Sequence, residues 1–333
     1  MLLCRLGHSG TVADKGCLGF APYTGSMLSQ IAFELPFLLL GLLFGSFLNV
    51  CITRLPYHES IVKPRSHCPR CQHIIRWYDN IPLLSSINLR ARCRDCQAII
   101  PWRYPLVELS TALWFAISGL AVWFAWNPPT AKSTDETLVA TGFLIIGFLL
   151  IGLMVMDWQT HSLPDAFTLT GTAIGFFLVC VRAIFLAPDE DAIHLESSHS
   201  LRLSSPGSVA SDHGNVFLTG PEHLIFGRLL AILAAALVPW LIRWLYKLIR
   251  GQQGLGLGDV KLLAMIAAFL GFAPALLAFF FGCLFIFPYA LTLLARKRAD
   301  RMTQLPFGSF LAAGGLVAAL VGQQIIGWYR SLL

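Results

Sequence analysis

The chain has 333 residues, 56% of them hydrophobic and only 13% charged, and its mean hydropathy is +0.67. So little charge over such a length excludes an ordinary soluble domain and predicts a polytopic membrane protein. The net charge of +6 belongs mostly to loop lysines and arginines and calls for no nucleic-acid partner.

In chain order, residues 1–30 read as an N-terminal tail, with Met27 an alternative start, because no apolar core precedes a small-residue cleavage site. A first transmembrane helix is predicted over 31–51. Residues 52–105 follow as a small module, and 106–333 as a seven-helix core. Apolar windows near 106–126, 137–156, 166–186, 224–245 and 305–328 approach the roughly 20 residues that cross a bilayer. The run 259–294 is too long for one helix, and the Gly271-Phe-Ala-Pro274 break divides it into spans near 259–272 and 275–294.

Charge placement supports a count of about eight transmembrane helices. Lysine and arginine concentrate in 52–105, in 243–261 and in 296–301, which together hold 17 of the 24. With eight spans all three segments fall on one side, the cytoplasmic side by the positive-inside rule, and both chain ends fall outside. The segment 187–223 then forms an outside loop. Its six acidic residues, its serines and its irregularly spaced His194, His199, His213 and His223 read as a solvated loop rather than a metal site.

The module contains Cys68-Pro-Arg-Cys71 and Cys93-Arg-Asp-Cys96. Each C-x2-C turn presents two sulfurs to one ion, and two such turns complete the tetrahedron of a four-thiolate zinc site. Four thiolates leave no open coordination position, so the zinc is predicted to be structural, supplying stability that a segment with few apolar residues lacks. A pair of redox dithiols is the alternative, and a cytoplasmic setting disfavours stable disulfides. The other cysteines lie in the tail or in apolar spans and read as inert thiols.

Carboxylates at membrane depth are costly, which makes Glu34, Glu108, Asp157, Asp165 and Asp259 functional candidates. Glu34 and Glu108 lie near helix ends and read as structural. Asp165 follows Ser162-Leu163-Pro164 and offers negative charge to a helix start, also structural. His161, in the same short loop, titrates near neutrality and stays a secondary candidate. Asp157 ends the third span and Asp259 opens the sixth, so the eight-span topology brings both to the cytoplasmic edge. Two such aspartates can share one proton and activate water against a peptide carbonyl. Gly256 and Gly258 allow close backbone approach to Asp259, and Lys261 sits beside it. The stretch lacks the G-x4-G-K-S/T pattern of a phosphate-binding loop.

Five separated motifs, in order, resemble those of the type IV prepilin peptidases, bifunctional leader peptidase/N-methyltransferases of the intramembrane aspartic G-x-G-D type. They are GSFLNVCITRLP (45–56), the paired C-x2-C segment with IRWYDNIPLLS and RYPLVEL, DWQTHSLPD (157–165), GLGDVKLL (256–263) and LPFGSF (305–310). The resemblance covers about 41–310. It implies a multi-pass protein of the bacterial inner membrane with module and active site facing the cytoplasm, and Asp157 and Asp259 as the catalytic pair. The implied substrate is a prepilin or pseudopilin whose basic leader is removed after a glycine, followed by S-adenosylmethionine-dependent methylation of the new N-terminus. Ser309 departs from the family pattern, which often has proline there.

The module's basic residues would repel a basic leader, so they are expected to face anionic lipid headgroups. Neither the pilin served nor the oligomeric state is legible in the chain. A transporter or proton-coupled channel is the rival reading, but it predicts carboxylates near the bilayer midplane and internal repeats. A non-enzymatic assembly factor docking through the module is a third reading. It gives no reason for paired aspartates at one depth.

Overall fold

The structure is a computed structural model that describes residues 27–126, 133–202, 221–251, 255–296 and 305–332. The tail to residue 26, Gly254, His213 and the Lys297 to Arg301 cluster lie outside the described residues, as do the side chains of His194, His199 and His223.

Among the described residues the chain is helical throughout its apolar windows. Helix α1 spans Met27–Arg54, and a five-residue helix α2, Leu84–Asn88, lies within the module. There follow α3 (Arg103–Trp126), α4 (Ser133–Thr160), α5 (Asp165–Arg202), α6 (Pro221–Arg250), α7 (Leu257–Leu270), α8 (Phe272–Ala295) and α9 (Phe307–Leu332). Each of the eight predicted spans has its helix. In the module two isolated antiparallel bridges, His67 with Ile74 and Arg92 with Ile99, are the only β pairing among the described residues.

Seven of the helices are long and apolar enough to cross a membrane. The exception, α7, has 14 residues and reaches about 21 Å at 1.5 Å per residue, short of a hydrocarbon core of about 30 Å. Its length is compatible with its place inside the bundle, where Leu262, Leu263, Met265, Ile266 and Ala267 are fully buried. At its far end the Arg228 guanidinium, from α6, donates to the carbonyls of Ala267 and Phe269 at 3.3 Å each. A half-buried arginine thus adds a donor to the last carbonyls of α7, of which Ala267 also accepts the Gly271 N–H at 2.9 Å. Gly271, at φ +92°, then turns the chain into α8. The predicted break falls at this glycine, and Pro274 sits in the first turn of α8, where proline is tolerated.

Helix α5 extends beyond its expected end at 186. It continues to Arg202, so helix occupies the first part of the segment expected to be a loop, while 203–220 lie outside the described residues. Extending an existing helix needs no new nucleus, which lets a polar, loop-like composition stay helical.

Outward, α6 exposes Phe226, Leu230, Leu233 and Leu237, and α8 exposes Phe280, Leu284, Phe287 and Leu291. Apolar faces of this extent are suited to lipid rather than water, so the chain is a multi-pass membrane protein. One end of the bundle gathers the module and alternate helix termini. Asn49 of α1 donates to the Tyr104 carbonyl of α3 at 3.1 Å, Arg103 of α3 to Gln159 of α4, and Arg243 of α6 to the Leu255 carbonyl at 2.7 Å. Trp158 of α4 lies 5.5 Å from the Tyr289 ring of α8.

Helices α8 and α9 meet through glycine. A Cβ on Gly314 would lie 2.7 Å from the Gly282 nitrogen and nearer still to the Ala278 carbonyl oxygen. Gly314→Ala is therefore expected to cost about 1–3 kcal/mol through overpacking and to lower the melting temperature in detergent. Gly227→Ala, where nothing lies within 4 Å, should melt no lower than the parent. Equal melting of all three proteins would contradict the close approach.

Candidate active site

The module is built from two copies of one turn. In the first, the Cys68 N–H donates to the His73 carbonyl at 2.9 Å and the Gln72 N–H returns to the Cys68 carbonyl at 2.8 Å. The second repeats this with Cys93 to Ala98 at 2.8 Å and Gln97 to Cys93 at 3.1 Å. Gln72 and Gln97 occupy matching positions and share positive φ, 59° and 56°. The turns face each other, so that the four sulfurs of Cys68, Cys71, Cys93 and Cys96 lie within 4.8 Å of one another and could hold a metal ion. Cross-turn separations are 3.7 Å for Cys68 to Cys96 and 4.0 Å for Cys71 to Cys93. A tetrahedral ion with metal–sulfur bonds of about 2.3 Å would set sulfurs about 3.8 Å apart, which these distances fit. Within this cluster the Cys71 backbone N–H holds the Cys68 thiol down to about 6, whereas the neighbouring sulfurs hold the Cys71 thiol up at about 12.

Around the sulfurs, Arg94 makes a two-point ion pair with Asp79, Nε to Oδ2 at 2.9 Å and a terminal nitrogen to Oδ1 at 2.5 Å. This guanidinium holds the Asp79 carboxyl below the usual carboxylate range. The module is tied to the helices at two places. The buried Glu108 of α3 accepts the Leu83 N–H at 2.9 Å, and Arg54, ending α1, donates to the carbonyls of Ser60 at 3.0 Å and Pro64 at 2.7 Å. Glu108 thus ties the module to α3.

At the same end of the bundle, Asp157 and Asp259 are brought together. They come from the last turn of α4 and the first turn of α7, are 6% and 7% exposed, and lie close enough to interact electrostatically. Asp157 Oδ2 accepts from the Ser309 N–H at 2.6 Å and the Ser309 hydroxyl at 2.9 Å. Asp259 Oδ2 accepts the Gly256 N–H at 3.1 Å. Leu163 wedges between the first turns of α7 and α9, where a Cβ on either Gly258 or Gly308 would meet it at 2.9 Å. The glycines thus let three backbones converge on the carboxylates.

The secondary candidates lie at the same end. Lys261 pairs with Asp165 at 2.6 Å, both partly in solvent, joining the starts of α7 and α5. His161, at φ 49°, donates its N–H to the Asp157 carbonyl at 2.9 Å and closes α4. Ser309 and Gln159 are contacts that the sequence reading did not assign. A serine in the first turn of a helix, opposite a motif aspartate, was the available signal for the first. The Arg103 to Gln159 bond had none.

Fold and site together define a class: a helical multi-pass membrane protein with a buried aspartate pair at one end of its bundle and a four-cysteine module at the same end. Residues 39–122 match the bacterial peptidase A24 N-terminal domain, and residues 214–291 match the type IV leader peptidase family. A Stutzerimonas stutzeri protein named prepilin leader peptidase/N-methyltransferase is 31% identical over 327 residues, covering 90% of this chain and 95% of its own length. A Pseudomonas aeruginosa protein of the same name is 31% identical over 325 residues, covering 90% and 94%. One from Burkholderia pseudomallei is 32% identical over 318 residues, covering 88% and 86%. No solved structure matches. The chain belongs to the type IV leader peptidase family.

Cys93→Ser removes one of the four sulfurs and is expected to bring bound metal, measured by elemental analysis of the purified chain, from about one equivalent to well below it. Undiminished metal content in this variant would contradict the four-thiolate site.

Proposed function

We propose that this chain removes the basic leader from type IV prepilins or pseudopilins, with Asp157 and Asp259 as the catalytic pair. The observation that carries the proposal is the burial of two aspartates from different helices, within electrostatic reach, at one end of the bundle. Lysines and arginines concentrated in the module and around the junction of α6 and α7 support a location of that end at the cytoplasmic face of a bacterial inner membrane.

Two nearby carboxyls in an apolar setting share one proton more readily than both ionise. The ionised member takes a proton from water, whose oxygen attacks the scissile carbonyl carbon while the protonated member hydrogen-bonds the carbonyl oxygen. As the tetrahedral species collapses, the C–N bond breaks and the nitrogen takes up a proton. The products are a leader carboxyl and a new N-terminal amine. Carboxylates at an edge rather than the midplane also weigh against the transporter or channel reading.

Zinc is the ion proposed for the four sulfurs, held by Cys68, Cys71, Cys93 and Cys96. It would supply folding energy, since a closed thiolate shell offers no position for substrate. The relatives' name also includes N-methyltransferase. Methylation of the new amine from S-adenosylmethionine is accordingly proposed for this chain, with no residue assigned to that group.

Lipid contact is proposed for the module. Lys63, Arg65, Arg70, Arg90 and Arg92 are exposed, as are Ile87, Ile99 and Trp102. Basic and large apolar side chains together suit an anionic headgroup layer, at about 1 kcal/mol per near-surface charge.

Asp157→Asn and Asp259→Asn are each expected to reduce prepilin cleavage, followed by mass spectrometry, at least about 100-fold while the protein stays in the membrane. Near-normal processing by either variant would remove the pair. Asp165→Asn loses only a partly exposed ion pair and should lower the rate less than about fivefold. Complete inactivity there would overturn its structural assignment.

A further inference from the structure

We infer that Ser309 is a positioning residue that makes Asp157 the ionised, water-activating member of the pair and leaves Asp259 as the proton donor. This inference rests on the paired-aspartate reading and deepens it.

The asymmetry is geometric. Asp157 Oδ2 receives two donors from one residue, the Ser309 N–H at 2.6 Å and its hydroxyl at 2.9 Å. Asp259 receives the Gly256 N–H at 3.1 Å. Donors aimed at a carboxylate oxygen stabilise its charged form, and short charge-assisted bonds do so most. The Ser309 N–H also belongs to the first turn of α9, where amide protons lack intrahelical acceptors and the helix dipole favours negative charge. Ser309 engages Oδ2 only, so Oδ1 is the oxygen left to meet water.

The hydroxyl has a second acceptor. It lies 2.9 Å from the Met154 carbonyl as well as from Asp157 Oδ2, and one O–H can serve only one of them at a time. When Asp157 takes the proton from water, the hydroxyl can turn to Met154 without losing a hydrogen bond. Both states of the base are thereby accommodated in a buried site.

Of the other charged groups at this end, His161 acts on Asp157 in the same sense as Ser309, and the others are engaged elsewhere. His161 does so from the loop after α4, and Asp259 faces Asp157 from α7. Asp165 and Lys261, from α5 and α7, satisfy each other, and Arg103, from α3, is engaged with Gln159.

The test compares prepilin cleavage by the wild-type, Ser309→Ala and Ser309→Pro chains across pH, with Asp157→Asn as the inactive reference. Alanine removes the hydroxyl. Proline, tolerated in a first helical turn, removes the N–H as well. Ser309→Ala is expected to lose about tenfold in kcat on the acid side, Ser309→Pro more, with both converging on the wild-type rate as pH rises and with KM unchanged. Melting temperatures near the parent's exclude misfolding as the cause. If wild-type cleaves, Asp157→Asn does not, and both Ser309 variants keep the wild-type profile, the Ser309 role is overturned and the pair stands. Losses uniform across pH overturn it equally. A wild-type chain inactive at every pH removes the peptidase reading and this inference with it.

Discussion

A buried carboxylate needs hydrogen-bond donors, and in this chain the starts of helices supply them. Asp157 meets the first turn of α9 through Ser309, and Asp259 folds back onto the Gly256 N–H at the start of α7. Asp165 opens α5 and is fixed by Lys261. Orphan amide protons and helix dipoles at these termini lower the penalty for negative charge there. Because the starts of α5, α7 and α9 must all reach the end of α4, helix lengths and the pitch of the bundle are constrained together. The shortness of α7 and its capping by Arg228 follow from that requirement, since α7 needs to present Asp259 at one end rather than cross the whole membrane.

The start of α3 is the junction between module and bundle. Glu108 holds Leu83, Tyr104 receives Asn49 from α1, and Arg103 reaches Gln159, two residues beyond Asp157. Order in the module is thus linked to the segment carrying the first aspartate through a short chain of polar contacts. A metal holding the two cysteine turns together would stiffen this arrangement from the outside.

Most of the helix pattern was legible because long apolar windows and a Gly/Pro break are strong signals in a membrane protein. The division at Gly271 was readable because a glycine followed by a proline suits a turn, and glycine takes a φ of +92° without strain. The extension of α5 to Arg202 was not, since its composition resembles a loop and helix propagation overrides composition. Cysteine spacing foretold the sulfur cluster. The depth argument foretold that Asp157 and Asp259 would meet, but not which groups would hold them. Ser309 was visible only as the one departure from the family pattern within LPFGSF, because a donor 152 positions away along the chain leaves no local signature of its contact.

The central claim, that one ionised and one protonated aspartate act together, is tested most directly by the pH dependence of kcat/KM for leader cleavage by the wild-type chain in lipid nanodiscs. The account predicts a bell, with the rate falling at low pH as the base is protonated and again at higher pH as the acid loses its proton. A single rising limb that levels to a plateau, as one lone base would give, would contradict it.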